Sequence, residues 1–447
     1  PPGDGPVATD EWCDVDVLAR IRRRSLAQLR AEVEPVEHAA YARYLLQQHQ
    51  VTPAPQERGV DGVAIVLDQL TGFAAPAQVW ESAILPARVA DYQPAMLDEL
   101  LATGQFVMVG AADQSVAFHH VDTIGLTLPI RATDDRTAVH DDIVEALTDT
   151  GGWFYSALTA QLDHSGPDIL ATLWDLFWAG VVTNDTFTAV RATYNGTNSR
   201  RAPAQRSSPR RAARLRRLNR LAPSTNMVRQ VDPPTAVGRW SLLPERTDDN
   251  TTALHAQAEY LLDRYGVITR GAVNAEGLPG GFSAYYRLLS KMEESGHIRR
   301  GYFIDGLGAA QFSTAATVDA LRAFDQEPTH PQAIGWAATD PANPYGATLE
   351  WPDTEGQRPG RKAGAYVVLV NGVLVLYLAR GGKTLLQFDD EHLGPAATAL
   401  ADVLRRAGTD KLAIATVNGE PLVNAPLASH LVEAGFYTTP NAIRYRA

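Results

Sequence analysis

Residues 296–312 read Gly-His-Ile-Arg-Arg-Gly-Tyr-Phe-Ile-Asp-Gly-Leu-Gly-Ala-Ala-Gln-Phe. An apolar run at helical spacing, with Tyr286, Leu289 and Met292, leads into them. Gly296 then stands where a helix ends in the left-handed region, and the glycine-punctuated hairpin that follows carries adjacent arginines. Helix, glycine and basic hairpin form the last part of a winged helix, a fold that presents its third helix and its wing to a partner.

The same signature occurs twice more. Met96-Leu-Asp-Glu-Leu-Leu-Ala-Thr-Gly104 runs into Gln-Phe-Val-Met-Val, and Leu173-Trp-Asp-Leu-Phe-Trp-Ala-Gly180 runs into Val-Val-Thr. Each copy has a candidate first helix upstream, at 62–70, 141–148 and 254–265, and a short middle helix at 76–82, 155–162 and 270–275. The repeat predicts a tandem array. The expected organisation is the end of a preceding helical module (1–52), winged helices at 53–132, 133–194 and 237–328, a basic linker at 195–236 and a β-rich domain at 329–447. In that last domain, Asn371-Gly372 between two apolar runs predicts a type I′ hairpin. The fold class is therefore α+β, tandem winged helices followed by a β-rich, barrel-like C-terminal domain.

Composition narrows the function. The 447 residues are 45% apolar and 20% charged, and no run reaches the roughly 18 apolar residues of a membrane span. A single cysteine, Cys13, excludes an internal disulfide and a cysteine-based zinc site, which suits a reducing cytoplasm. The absence of an initiator Met marks the chain as a fragment. Four lysines among 40 basic residues suggest a high-GC bacterial source. The net charge of −11 hides an uneven distribution, because residues 200–220 hold nine arginines and no acid, leaving about −20 elsewhere. Nucleic-acid contact must then be local, since affinity for phosphate comes from cations. The segment 195–236 is either a tether or a strap that orders on nucleic acid or an acidic partner.

Motifs for nucleotide binding fail on spacing and context. Gly381-Gly-Lys-Thr384 resembles the end of a P-loop, but the required first glycine is Tyr377, and the string joins two predicted strands rather than a strand and a helix. Asp389-Asp-Glu-His392 has Asp where the helicase box has Glu. No metal-ligand cluster stands out in the sequence, and His119-His120 reads as a strand-end pair. The candidate DNA-binding residues are Arg299, Arg300 and Tyr302 on the wing, Tyr285, Arg287 and Lys291 on the third helix, and Arg22, Arg23 and Arg24 on an early helix. The bland alternative for all of them is a solvated face.

Three runs, Gly238-Arg-Trp-Ser-Leu-Leu-Pro244, the 296–312 stretch and Asp340-Pro-Ala-Asn-Pro-Tyr-Gly346, together resemble the region C-terminal to the motor in Lhr-type (large helicase-related) bacterial superfamily 2 helicases. The resemblance extends through residues 16–37 and 85–92, and so over nearly the whole chain. It implies an ATP-dependent DNA helicase of DNA repair, a hydrolase, as the parent. ATP and Mg would belong to the parent's upstream motor, with no cofactor in this region. The implied partners are single-stranded or branched DNA, the motor of the same chain and further copies of the chain, with no membrane. Tandem winged helices also make the chain similar to AlkZ-like DNA glycosylases, which remove damaged bases. Those enzymes use a Gln-x-Gln or Gln-x-Asp pair, which has no convincing counterpart here. Gln311 and Asp305, flanking the wing, are the weak catalytic candidates. Three functions thus compete: a DNA-binding and assembly region without its own ATPase site, a glycosylase acting on uracil or an alkylated base, and an oligomerisation scaffold.

Overall fold

The computed structural model describes residues 14–18, 20–21, 24–25, 34–51, 57–129, 136–148, 151–198 (backbone alone for 195–198), 232–308 and 310–446. Two compact units are present: Pro53–Ala253 with Arg406–Gly408, and Pro1–Thr52 with Leu254–Arg405 and Thr409–Ala447.

Three modules share one construction, consisting of a helix, a short strand, a short helix, a third helix and two further strands. In the first, these are Gly59–Gln69, Ala75–Pro76, Ala77–Val79 widening into Trp80–Ile84, Pro94–Ala102, Phe106–Ala111 and Ser115–His120. In the third they are Asn250–Tyr265, Val267–Ile268, Arg270–Ala275, Gly281–Glu294, Arg299–Gly301 and Gln311–Ser313. Every three-stranded sheet of these modules places its last strand between the other two. Gly104, Gly180 and Gly296, each just past a third helix, have φ of 75°, 68° and 84°, where a side chain is disfavoured.

The middle module comprises Ala138–Leu147, Trp153–Phe154, Tyr155–Gln161, Gly166–Trp178 and Val182–Asn184. Its last strand comes from farther along the chain than the sequence reading placed it. Arg239–Leu242 lies between Trp153–Phe154 and Val182–Asn184, with Trp240 opposite both Trp153 and Asn184. The segment read as a linker between modules is therefore an insertion within one wing. Packing explains the choice of strand: Trp240 is fully buried, with its ring 5.3 Å from Trp174 and 6.4 Å from Phe177. The 200–220 arginine run lies outside the described residues.

The terminal region is an open sheet, and no closed barrel forms among the described residues. Its strand order is Ala333–Ala337, Tyr366–Val370, Val373–Leu378, Thr384–Gln387, Thr416–Val417, Glu420–Pro421, beside a separate three-stranded sheet of Lys411–Ile414, Ala442–Arg446 and Tyr437–Thr439. The near-continuous apolar runs follow from burial of both faces. Val367 and Leu369 pack with Tyr41 and Leu45 of the helix His38–Gln48. Val368 and Val370, pointing the other way, pack with Leu400 and Leu404 of the helix Leu393–Arg406. The helix His38–Gln48, read from sequence as the end of a preceding module, thus lies in the core of the unit formed with the third module and terminal sheet. There the Tyr41 hydroxyl donates to the Tyr265 carbonyl at 3.0 Å. Asn371 and Gly372, at φ 52° and 87°, make the expected hairpin turn. Gly381-Gly-Lys-Thr384 joins strands Val373–Leu378 and Thr384–Gln387, as the P-loop argument required. No helix among the described residues is long and apolar enough to cross a membrane.

Candidate nucleic-acid interface

The third helix of the third module, Gly281–Glu294, is amphipathic by simple spacing. Tyr285, Leu289 and Met292, at i, i+4 and i+7, face the core. Ser283, Tyr286, Arg287, Lys291 and Glu294 are exposed. Arg287 and Lys291 are thus successive cations on one outward stripe. Tyr285 is not on it: the residue is fully buried, with its hydroxyl donating to Gln257 Oε1 at 2.6 Å. Its place in the 3.6-residue period with Leu289 assigns it to the core, and its neighbour Tyr286 takes the outward position.

Tyr286, read from the sequence as part of the apolar run with Leu289 and Met292, is instead exposed and links helix to wing. Its hydroxyl accepts from Arg300 Nη1 at 2.8 Å, and its ring meets Phe312 edge-on at 5.7 Å. Arg300 Nε also lies 3.4 Å from Glu293 Oε2, a carboxylate only 4% exposed. Arg300 is therefore a strut between wing and third helix, with about a quarter of its side chain exposed. Arg299 is half-buried, whereas Tyr302 stands 63% exposed.

Beyond Tyr302 the wing is fastened down. Val36 N donates to the Phe303 carbonyl and Asp305 N to the Val36 carbonyl, both at 2.9 Å. His38 Nε2 lies 2.9 Å from the Asp305 carbonyl. Gln311, 1% exposed, spends its whole amide on this turn. Its Oε1 accepts from Phe303 N and Ile304 N at 2.9 Å, and its Nε2 donates to the carbonyls of Ile304 and Leu307 at 2.9 and 3.3 Å. Such a side chain shapes the wing and has nothing left with which to position a water. Asp305 is exposed, and its backbone serves the same turn. The structure therefore assigns Gln311 to the wing's framework and does not assemble a catalytic pair from it and Asp305.

The other two third helices are different in kind. On Pro94–Ala102 the acids are Asp98 and Glu99, with no cation. Asp98 accepts from Thr186 Oγ1 at 2.6 Å and Thr188 N at 2.9 Å, and Arg191 Nη2 reaches it at 3.0 Å. Arg191 also grips Glu81 with two bonds of 2.7 Å, and the Tyr92 and Tyr194 hydroxyls donate to the same carboxylate at 3.0 and 3.1 Å. Burial, followed by the negative Glu81, pushes both tyrosine hydroxyls well above their usual range. Gly166–Trp178 exposes Asp168 and Asp175 and likewise bears no cation. Its Trp174 stacks on Trp178 at 5.7 Å and donates to the Thr235 carbonyl at 3.1 Å, a packing role.

The loop Asp340–Gly346 is internally tied. Asp340 Oδ1 accepts from Ala342 N at 2.8 Å, and the buried Asn343 donates to the Ala338 carbonyl at 2.9 Å. Arg361, which the sequence did not single out, donates to the carbonyls of Asn343, Thr339 and Asp340 at 2.6, 3.1 and 3.0 Å. Ala347 follows so closely on the helix Arg270–Ala275 that a Cβ on Gly271 would lie 2.2 Å from its carbonyl oxygen. This loop is a packing joint between the third module and the sheet.

Comparison with known proteins supplies the family. Residues 36–121 and 247–333 each match a winged-helix domain of the large helicase-related protein. The chain is 46% identical over 98% of its length to a Mycolicibacterium smegmatis protein named Lhr helicase/probable uracil glycosylase. It is 38% identical over 97% of its length to the Escherichia coli Lhr helicase/uracil glycosylase. The chain belongs to the Lhr family. It is a C-terminal Lhr region and spans about 30% of the length of these curated relatives. The two matched domains include the first and third modules; the middle module with its split wing lies largely between them. Of the early arginines, Arg24 is exposed, while Arg22 and Arg23 lie outside the described residues.

Proposed function

We propose that this Lhr region binds DNA through its third winged helix, positioning it for an ATP-driven motor elsewhere in the parent protein, and that the first two modules serve assembly. One observation carries the reading: among the three third helices, only Gly281–Glu294 turns cations outward, whereas the other two bear carboxylates. Phosphate contacts position a duplex without reading its sequence. Replacing Arg287 and Lys291 together by alanine should reduce the dependence of log K on log salt by about 1.8, at roughly 0.9 per contact on B-form DNA. Over a fourfold rise in salt that difference is roughly tenfold in affinity. An unchanged slope with intact folding would refute the assignment.

A second reading, removal of a damaged base, is favoured by the uracil glycosylase activity in the relatives' names. Incubating the chain with a uracil-containing oligonucleotide and then cleaving with alkali tests it; strand scission above a no-protein control supports the reading, and none removes it. Since Gln311 is committed to the wing turn, the group that places water would have to be another residue.

A further inference from the structure

The exposed aromatic on the wing narrows the kind of DNA this surface would take, an inference that rests on the DNA-binding reading above. Among the described residues Tyr302 is the most exposed aromatic, at 63%; the next, Phe154, at 56%, lies under the Arg239 guanidinium at 5.9 Å. The backbone on either side of Tyr302 is held in place. Gly301 pairs with Gln311 in the wing ladder, and Phe303, 2% exposed, is anchored by Gln311 Oε1 at its amide. Tyr302 directly follows the strand Arg299–Gly301, two residues after Arg300. The Arg300 guanidinium reaches Tyr286, next in sequence to Arg287 on the cationic stripe. The wing beyond Tyr302 is fastened to residues 36–38, so its exposed aromatic sits on an anchored segment rather than on a free tip.

An exposed ring on an anchored wing, in the module whose third helix turns Arg287 and Lys291 outward, suits a nucleobase, because stacking is available to any base while the cations take nearby phosphates. Inside a continuous duplex both faces of each base are already stacked. The partner that offers a free base face next to a phosphate-lined duplex is a junction between double and single strand.

We propose that the third winged helix seats a duplex–single-strand junction, with the Tyr302 ring stacked on the first exposed base. With the backbone already anchored, stacking has to order only the few rotamers of one tyrosine, which keeps its entropic cost small.

The test compares two probes on the full chain: a duplex with a single-stranded 3′ tail, and a dumbbell duplex of the same length closed by loops at both ends. Tyr302→Ala should weaken binding of the tailed duplex by roughly tenfold or more and leave the dumbbell unchanged. Tyr302→Phe, which keeps the ring, should bind the tailed duplex like the unsubstituted chain. A 2-aminopurine at the junction should be quenched on binding, and Tyr302→Ala should abolish the quenching. Equal loss on both probes, or loss on neither, overturns the junction proposal while leaving duplex binding through Arg287 and Lys291 standing. Failure of the unsubstituted chain to bind either probe overturns both readings.

Discussion

Two third helices built on the same plan, Pro94–Ala102 and Gly281–Glu294, have opposite fates. The first turns Asp98 toward Thr186, Thr188 and Arg191 of its own unit and leaves Glu99 exposed with no cation on the helix. The second leaves Tyr286, Arg287 and Lys291 exposed and is linked to its wing through Arg300. On the proposed reading one winged helix serves architecture and the other contact, and the outward cations Arg287 and Lys291 are what distinguish the second. Carboxylates suit an internal arginine; cations suit phosphate.

Three perturbations would break or sharpen this contrast. The largest effect is expected from Arg191→Ala, which removes the common partner of Glu81 and Asp98, carboxylates 9% and 22% exposed. The loss should be roughly 2–3 kcal/mol, below that of a fully buried pair because some solvent screens it. DNA affinity should not change. Urea unfolding and binding measured together check this; unaltered stability would mean that the first module's third helix is not held as described.

Next comes Arg300→Ala, which takes a cation from Glu293 and should cost about 1–2 kcal/mol while changing the salt slope by less than one contact. Adding Glu293→Gln should restore part of the stability, because the remaining neutral amide is cheaper to bury. A full one-contact drop in slope without loss of stability would make Arg300 a phosphate ligand instead of a strut.

The smallest effect concerns alkali. Tyr92 and Tyr194 resist ionisation in the folded state, first through burial and then through Glu81. With folded-state values raised above the unfolded value of about 10, their contribution is complete below that pH and declines as pH rises past it. Melting temperature should fall above roughly pH 10. Tyr92→Phe should flatten that fall, and an unaltered alkaline profile would count against the raised hydroxyl.

Much of this was legible in residue order. The three glycines past the third helices and the Asn371-Gly372 turn are local requirements, and the structure has each at positive φ. The cationic pair Arg287 and Lys291 also follows from helical spacing. Tyr285 and Tyr286 were exchanged, the first placed outward and the second in the apolar run, because steps of three and of four residues to Leu289 both fit a helix and only packing chose Tyr285 for the core. Gln311 could not be read correctly, because its four partners are backbone groups made available by a turn that exists only in the folded wing.

Sequence alone thus determined the repeated helix–glycine–strand unit and the Asn371-Gly372 hairpin, because each depends on periodicity and turn chemistry within a few residues. Only the tertiary structure decided that Arg239–Leu242 completes the middle module across an insertion, that the helix His38–Gln48 covers one face of the terminal sheet and that this sheet stays open. The physical reason is common to all three. Strand pairing and burial are settled by which distant surfaces fit: Trp240 fills the space beside Trp174, and Tyr41 and Leu45 cover the sheet face opposite Leu400. A chain read in order shows that such surfaces are apolar; it does not show which of them meet.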